Sequence, residues 1–376
     1  MNSYNISDII IIINDINIKQ DSEIKYINET LREYTHNVKL EINPMIEMWE
    51  KHKKYLNPYE FINTNYDNLT INICSYKPIS RAFFKMIEIL HNFNFNFNST
   101  ITSFHLAEGP GGFIEALQYI RNNENDNYYG MTLLEGTKDI PKWDKIKYFL
   151  YKHPNIHIEK GADNTGNLYN IENLQYIHKK YKHSIDFITG DGGFDFSIDF
   201  NKQEENSLNL ILSEVFFAII LQKKGGSFVL KMFDTFSSLS IEILYLLSYL
   251  YETVYITKPL SSRPANSEKY IVCINFKMVQ NIDILIQNIF EKFYLIKQTN
   301  IKSIINSEIS NCFLDKIKEI NAIFGQLQIE NIMNTLTFIH DKHKIEKQEL
   351  YKKSYLTKCV KWCKKYNVPI YDIYNS

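Results

Sequence analysis

The stretch that decides the fold is Ile101-Thr-Ser-Phe-His-Leu-Ala-Glu-Gly-Pro-Gly-Gly-Phe113. Its apolar first half is typical of a buried strand, and the strand ends in a glycine-rich turn. A helix is predicted over residues 113–121. Such a turn lets the backbone approach a ligand closely, and the helix N-terminus favours polar or anionic groups. The full G-x-G-x-x-G spacing is absent, so we expect an adenosine-containing ligand other than a dinucleotide, or a structural turn.

Strands and helices alternate on the C-terminal side of this stretch. Strands are predicted over 101–106, 128–134, 156–159, 185–189, 227–233, 253–257 and 270–276, and helices over 113–121, 203–224 and 237–251. This alternation predicts an α/β fold with a mostly parallel, doubly wound sheet. The last two strands are separated only by a loop, so the last strand is expected to run antiparallel. The glycine pair at 225–226 predicts the end of the helix at 203–224.

The chain of 376 residues is long enough for one large domain with extensions, or for two domains. Residues 1–70 are polar and mostly helical in pattern. Residues 71–280 hold the strand–helix alternation, and residues 281–376 show helical patterning only. We therefore expect helical N- and C-terminal extensions on either side of one α/β domain.

The charge balance excludes one class of protein. Lys and Arg number 42 and Asp and Glu number 43, for a formal charge of −1. A uniformly basic nucleic-acid-binding surface is excluded, although a local basic patch is not. The sequence has no apolar run of about 18 residues and no secretory signal pattern, so we expect an intracellular chain that does not associate with a membrane.

The cysteines and histidines do not predict a metal site. Five cysteines form an odd set whose spacing matches no zinc pattern. Cys359 and Cys363 are four residues apart on a predicted helix, where packing is the simpler interpretation. His153 and His157 flank Pro154 and have no acidic third ligand nearby. We expect reduced cysteines and no bound metal.

Residue usage points to an AT-rich coding genome. Asn, Ile, Lys and Tyr are abundant, and only four of the 42 basic residues are arginine. An arginine retained against this bias is expected to act through its bidentate geometry. The same bias favours a viral source and, with it, action in the cytoplasm; a cellular homologue would be nuclear.

Three polar residues stand at or near the ends of predicted strands. Asp191 follows a strand within Thr189-Gly-Asp-Gly-Gly193, and Lys231 lies inside an apolar strand, where an unpaired charge is costly. Glu268 ends a polar loop between the last two strands. Each has a structural alternative: a turn-capping aspartate, a lysine that reaches solvent, and a surface hairpin. Together with the glycine turn, however, they predict a catalytic site.

At this point the chain resembles the FtsJ-like family of RNA ribose 2′-O-methyltransferases, and within it the cap-specific mRNA (nucleoside-2′-O-)-methyltransferases of eukaryotes and large DNA viruses. The similar segments span about residues 50–280. They are Asn57-Pro-Tyr-Glu60, Arg81-Ala-Phe-Phe-Lys85, Gly109-Pro-Gly-Gly-Phe113, Gly130-Met-Thr-Leu133, Asp191-Gly-Gly-Phe194, Gly225-Gly-Ser-Phe-Val-Leu-Lys231 and Lys258-Pro-Leu-Ser-Ser-Arg-Pro-Ala-Asn-Ser-Glu268.

The resemblance implies a Rossmann-like methyltransferase fold and a Lys-Asp-Lys-Glu tetrad at Lys85, Asp191, Lys231 and Glu268. A ribose hydroxyl is a poor nucleophile, so a base must accept its proton as a methyl group arrives from S-adenosyl-L-methionine. Lys231 is the expected general base, because burial and a second lysine lower a lysine pKa. Asp191 and Glu268 are expected to orient the two ammonium groups.

The resemblance also implies which residues contact the cofactor and the RNA. The family's cofactor contacts correspond to Ala107, Glu108, Gly109, Pro110, Gly111, Gly112, Phe113, Asp163 and Asn164. Asp163 is expected to accept from the adenine amino group, and Glu108 to meet the ammonium group of the cofactor. The family's cap and RNA contacts correspond to Lys53, Ser80, Asn201 and Asn266.

The implied function is methylation of the first transcribed nucleotide of capped mRNA, with capped mRNA and other capping or transcription enzymes as partners. Two alternatives stay open: a methyltransferase of internal RNA positions, and a non-catalytic cap-binding subunit. An NAD-dependent dehydrogenase is disfavoured by the missing sixth-position glycine.

The C-terminal residues 341–365 contain nine lysines with three interleaved aromatic residues. This composition fits an RNA-binding face, but a solvated helix face is the simpler interpretation.

Overall fold

The computed structural model of the protein describes residues 1–7, 11, 13–20, 23–65, 72–134, 143–193, 200–298 and 301–374. Within these residues one sheet has eight strands: β1 Asn2–Asn5, β2 Thr102–Leu106, β3 Asn127–Met131, β4 Ile156–Ile158, β5 Ile185–Gly190, β6 Gln222–Met232, β7 Tyr251–Lys258 and β8 Lys269–Phe276. Their order across the sheet is β1-β7-β8-β6-β5-β2-β3-β4.

The strand directions confirm the predicted sheet. β2, β3, β4, β5 and β6 pair in parallel, and β8 pairs antiparallel with both β6 and β7. One strand was not predicted. β1 adds an antiparallel edge to β7, with Asn5 opposite Tyr255, although the N-terminal segment had been expected to be mostly helical.

Helices cover both faces of the sheet. They are α1 Glu29–Leu40, α2 Ile46–His52, α3 Ala82–Asn92, α4 Gly112–Arg121, α5 Lys147–Lys152, α6 Ile171–Tyr181, α7 Gln203–Leu221, α8 Ser238–Leu250, α9 Ile282–Lys292, α10 Leu295–Gln298, α11 Asn311–His340 and α12 Lys344–Lys365. Short 3₁₀ turns occupy Asn43–Met45, Lys53–Leu56, Glu60–Ile62, Trp143–Ile146, Phe200–Lys202 and Asp372–Tyr374.

Two hydrophobic clusters lie on the two faces, because successive strand residues point to opposite sides. In β6, Phe228 and Leu230 join the cluster with α7 and α8, whereas Val229 joins the cluster with α3, α4 and α12. The sheet is therefore buried on both faces, which parallel strands require.

The predicted end of the helix at Gly225 and Gly226 was wrong. α7 ends at Leu221, and β6 begins at the next residue and contains both glycines. Gln222 pairs with Ile185 of β5, and its side-chain amide donates to the Ile185 carbonyl over 2.9 Å. Strand pairing thus outweighs the local preference of glycine for a helix end.

Both terminal segments pack into the clusters of the α/β region. Ile13 and Ile16 belong to the cluster of α7 and α8, and Trp362 of α12 belongs to that of α3 and α4. None of the helices among the described residues combines the length and apolar composition that a bilayer span needs.

Candidate active site

The glycine turn joins β2 to α4 in a geometry that needs glycine. Gly111 has a φ of +114°, which side chains with a Cβ rarely adopt. A Cβ on Gly112 would lie 2.2 Å from the Ser80 hydroxyl oxygen, so Ser80 packs directly on the start of α4. Ala107, before the turn, has a φ of +51°, and such outliers cluster at ligand-binding sites.

The side chain of Glu108 connects the turn to the start of α4. Its Oε1 accepts from the backbone N–H groups of Phe113 and Ile114, over 2.7 and 3.2 Å. Burial, reinforced by the charge of Asp191, raises the pKa of Glu108 well above its usual range. Glu108 therefore supports the N-terminus of α4, and the neutral form that burial favours is a poor partner for the cofactor ammonium group expected there.

The residues around the turn fit a polar cofactor. Ser80 Oγ and Glu108 Oε2 are buried and have no hydrogen-bond partner, although buried polar atoms usually have one. Both atoms lie at the N-terminus of α4, the end of a helix that favours polar or anionic groups. Ser80, expected to contact RNA, is thus placed beside the predicted cofactor residues.

Asp163 and Asn164 lie in the loop after β4, next to the end of β3. The Leu134 N–H donates to the Thr165 carbonyl over 2.8 Å, which ties this loop to the β3 end. Burial opposes ionisation of Asp163, but hydrogen bonds from Thr165 and Asn170 outweigh it and lower its pKa to about 2. Asp163 is exposed and stays a candidate acceptor in the loop tied to the end of β3.

Strand register brings three members of the predicted tetrad together. Asp191 directly follows β5, whose last residue pairs with Leu230 of β6, so Lys231 lies beside it. Lys231 also pairs with Tyr270 of β8, and Glu268 directly precedes β8. Because β6 pairs with β5 on one side and with β8 on the other, the two carboxylates meet around its end.

The four side chains form two ion pairs. Lys231 Nζ lies 2.9 Å from Asp191 Oδ1 and donates to the Asp191 carbonyl over 2.7 Å. Lys85, in the second turn of α3, lies 2.8 Å from Glu268 Oε1 and 2.9 Å from Glu268 Oε2. The structure thus brings all four predicted residues together, with charges that cancel.

The expectation that burial and a second lysine give Lys231 a lowered pKa was wrong. Burial lowers the pKa of Lys231, but the charges of Asp191 and Glu268 outweigh burial and raise it above its ordinary value. Burial likewise opposes ionisation of Glu268, yet Lys85 and Lys231 lower its pKa to about 2. The carboxylates therefore stabilise the ammonium form of Lys231.

Two ionisable groups beside the tetrad were not predicted to have a role. Glu214 of α7 lies under the Asp191 turn and accepts from the Gly192 N–H over 2.8 Å; burial raises its pKa to about 8. Lys258, at the end of β7, donates to the Asn266 carbonyl, the Asn266 Oδ1 and the Glu268 carbonyl over 2.6, 2.7 and 2.9 Å. The sequence signal available for Lys258 was its position at the start of the family-like segment 258–268. A glutamate within an apolar helix was the signal for Glu214.

A cavity of about 370 Å³ lies between α2, α11 and the loop before β8. Lys53 and Asn266, two of the predicted RNA contacts, line it; Ser80 and Asn201 do not. Its other lining residues were not predicted as a set: Lys39, Ile42, Trp49, Glu50, Leu56, Asn57, Gln203, Arg263, Pro264, Ala265, Ser267, Gln328, Asn331, Ile332 and Thr335. Those from α11 carried no sequence signal, because their approach depends on the packing of the C-terminal segment.

Glu60 holds the loop that forms one wall of this cavity. Its side chain is buried and receives both Arg81 and Arg263 in bidentate contacts. Arg121 makes the same kind of contact with Asp126. Three of the four arginines thus act through bidentate geometry, as their retention predicts.

Comparison with known proteins adds independent evidence. Three relatives are cap-specific mRNA (nucleoside-2′-O-)-methyltransferases. Number 2 of Drosophila melanogaster is 27% identical over 295 residues, covering 70% of this chain and 41% of the relative. Number 1 of Trypanosoma cruzi is 39% identical over 180 residues, covering 45% and 46%. Number 1 of Mus musculus is 30% identical over 249 residues, covering 63% and 29%. The chain spans less than half the length of each of these relatives.

A family model described as FtsJ-like methyltransferase matches residues 78–276, which is more than half of the chain. The matched part runs from just before α3 to the end of β8, so it contains the glycine turn and all four tetrad positions. This chain therefore belongs to the FtsJ-like methyltransferase family.

Proposed function

We propose that this protein transfers a methyl group from S-adenosyl-L-methionine to the ribose 2′-hydroxyl of the first transcribed nucleotide of capped mRNA. The observation that carries the proposal is the meeting of Lys85, Asp191, Lys231 and Glu268 at one edge of the sheet. The glycine turn follows a strand at the same edge, and the loop before β8 connects that edge to the cavity lined by Lys53 and Asn266. The names of the relatives support the cap-specific reading.

The cofactor would be held by the turn from Ala107 to Phe113, and by Asp163 and Asn164. It supplies an electrophilic methyl group on a positively charged sulfur. The unpaired Ser80 hydroxyl and Glu108 Oε2 offer polar contacts, and Asp163 offers an acceptor for an adenine amino group.

Lys231 is the proposed general base, in a site whose carboxylates first favour its protonated form. A positive charge brought near a lysine lowers its pKa, so cofactor binding would favour the neutral amine. Neutral Lys231 would accept the hydroxyl proton, and Asp191 would hold the amine in position. Lys85, held by Glu268, would steer the ribose and keep the hydroxyl in line for transfer.

The α2–α11 cavity would receive the cap. Lys53 offers a positive charge for the cap phosphates, and Asn266 offers an amide for a base or ribose edge. Asn266 belongs to the same loop as Glu268, so cap contacts and the reaction site would be coupled through that loop.

The proposal is tested by transfer of labelled methyl groups to short RNAs. The substrates carry a 7-methylguanosine cap, an unmethylated cap or no cap, and a further capped RNA has a 2′-deoxy first nucleotide. We expect label only with the methylated cap and an intact first ribose. Lys231→Ala should abolish transfer, whereas Lys224→Ala, an exposed lysine of the same strand, should not.

Other outcomes would select other functions. Equal labelling of uncapped RNA would make the protein an internal-RNA methyltransferase. Label on the capped 2′-deoxy RNA would move the target beyond the first nucleotide. Cap binding with no transfer would make it a stimulatory subunit.

The compartment depends on the source of the chain. Residue usage is the observation that favours a viral source and cytoplasmic action, while the relatives named above are eukaryotic and a cellular homologue would act in the nucleus. Other capping or transcription enzymes are the partners that a cap methyltransferase would meet in either place.

A further inference from the structure

The exposed side of α12 concentrates positive charge that the proposed reaction does not use. Residues 350–365 contain six lysines and no aspartate or glutamate. The whole chain has a formal charge of −1, so the remaining residues together carry −7. The net positive charge of this segment therefore contrasts with the net negative charge of the rest of the chain and does not reflect a generally basic protein.

Packing fixes which side of α12 faces outwards. Tyr355, Cys359, Trp362 and Cys363 are buried against the rest of the protein. The outward side carries the exposed lysines Lys353, Lys358, Lys361, Lys364 and Lys365, which we call the α12 lysine face. In the part of the chain that the structure describes, none of these five forms an ion pair with a carboxylate.

The α12 lysine face differs from an ordinary solvated helix face. Lys358, Lys361 and Lys364 follow each other at i,i+3, and Lys361 and Lys365 stand at i,i+4. Like charges at these spacings destabilise a helix by a few tenths of a kcal/mol per pair. A solvated face usually mixes both signs of charge, which removes this cost. A polyanionic partner would offset the repulsion.

The helix that carries the α12 lysine face packs, through its buried side, against α3 of the proposed reaction site. The Trp362 ring packs edge-on against the Phe84 ring of α3, with ring centroids 5.8 Å apart, and Phe84 precedes Lys85. Packed helix axes lie about 8–10 Å apart. The 3₁₀ turn Lys53–Leu56, whose first residue lines the α2–α11 cavity, packs against both α11 and α12.

We propose that the α12 lysine face binds the phosphates of the transcript beyond its capped end. The proposal rests on the proposed function, because an RNA whose end lies at Lys231 must continue along the nearby surface. Lysine binds phosphate as a point charge without reading bases, so the contact would be independent of sequence.

The test compares two triple variants with equal loss of charge. Lys358→Gln/Lys361→Gln/Lys365→Gln changes the α12 lysine face. Lys179→Gln/Lys182→Gln/Lys224→Gln removes exposed lysines at the end of the sheet away from the tetrad. Binding of fluorescently labelled RNAs of 4 and 20 nucleotides is measured between 50 and 200 mM salt. Methyl transfer is measured separately.

We expect the α12 variant to bind the 20-nucleotide RNA about tenfold or more weakly at 0.1 M salt, because three phosphate contacts change the slope of log K against log salt by about 2. Its affinity for the 4-nucleotide RNA and the affinities of the other variant should stay as in the unmodified protein.

Three results would overturn the proposal. One is unchanged binding of the long RNA, which would leave an acidic protein as the partner of this face. Another is an equal loss in both variants, and the third is an unmodified protein that binds long and short RNA equally. Failure of the proposed function can be distinguished from failure of this proposal. In the former case the unmodified protein would transfer no methyl group, but the α12 variant would still bind the long RNA more weakly than the unmodified protein does.

Discussion

At the scale of single residues, Lys258 differs from the two tetrad lysines in its partners. Its three donated hydrogen bonds end on oxygens of Asn266 and Glu268. Burial lowers the pKa of Lys258 to about 7, although the nearby Glu268 opposes the shift. One buried amine thus ties the residue that lines the α2–α11 cavity to the residue that pairs with Lys85.

Replacement of this amine should impair the reaction. In Lys258→Met the loop oxygens lose their donors, and a displacement of about 1 Å at a reaction site can cost up to about a hundredfold in rate. We expect kcat to fall about tenfold or more and KM for capped RNA to rise. Steady-state methyl-transfer kinetics measure both, with Lys277→Met as the control at the other end of β8. Unchanged kcat and KM would contradict this role.

The raised pKa of Glu214 should make the free energy of unfolding depend on pH. Its pKa is about 8 in the folded protein and near 4.5 in the unfolded chain, so the folded state holds a proton that the unfolded state has released. Stability should therefore fall as the pH rises from 4.5 to 8. Glu214→Gln removes this dependence and should gain about 2 to 3 kcal/mol over the unmodified protein between pH 5.5 and 8.5.

Urea unfolding at the two pH values measures this difference. Glu33→Gln, a change at an exposed glutamate, is the matched control and should follow the unmodified protein at both. A Glu214→Gln protein whose stability declines with pH as steeply as the unmodified one would show that Glu214 is not the group responsible.

At the scale of elements, Glu60 connects three segments. The 3₁₀ turn that it begins, the start of α3 and the loop before β8 meet through Arg81 and Arg263. Both arginines stabilise the charged form of Glu60. Burial opposes its ionisation, but the two arginines outweigh burial and lower the pKa of Glu60 below the usual range. The turn, helix and loop are thus held as one unit beside the cavity.

Removal of the Glu60 charge should loosen that unit. Breaking a buried ion pair costs about 3–5 kcal/mol, but the arginine side chains are 31% and 38% exposed. We therefore expect Glu60→Gln to lower the free energy of unfolding by about 2 kcal/mol. Asp315→Asn, which breaks an exposed pair with Lys318, should cost about 0.5 kcal/mol or less. Equal midpoints of urea unfolding for the two variants would refute the role of Glu60.

At the scale of the whole molecule, the two terminal segments complete the core of the α/β region. Trp362 and Tyr366 are 3% and 1% exposed in the cluster with α3, and Phe313 is fully buried in the cluster with α8. A protein of residues 71–280 alone would expose the surfaces that these side chains cover. The division of the chain at residues 70 and 280 thus stays a prediction. Side chains from all three parts belong to the same hydrophobic clusters.

We expect residues 71–280 by themselves to lack a cooperative thermal transition and to bind a hydrophobic dye, because marginal domain stability does not survive such a loss of buried apolar surface. Circular dichroism during heating measures this, with the full chain as the control. A sharp transition of the isolated part would show that the extensions are dispensable for folding.

Local sequence pattern predicted much of the architecture. Apolar runs separated by helical periodicity identified β2, β4, β5, β7 and β8 to within about two residues, since strand and helix periods are local properties. The helix end at Gly225 was misread because pairing of Gln222 with β5 is a contact between distant residues. β1 was missed because four half-exposed residues are a strand only when an edge accepts them.

Motifs and local periodicity were enough to recognise the family resemblance, most of the strands and three of the four tetrad residues, because these signals lie within short segments; Lys85 followed from the resemblance. The protonated form of Lys231, the burial of Glu108 under α4 and the α11 wall of the cavity became visible only in the folded chain. These depend on charges, desolvation and surfaces brought together from distant parts of the chain, and no local pattern encodes them.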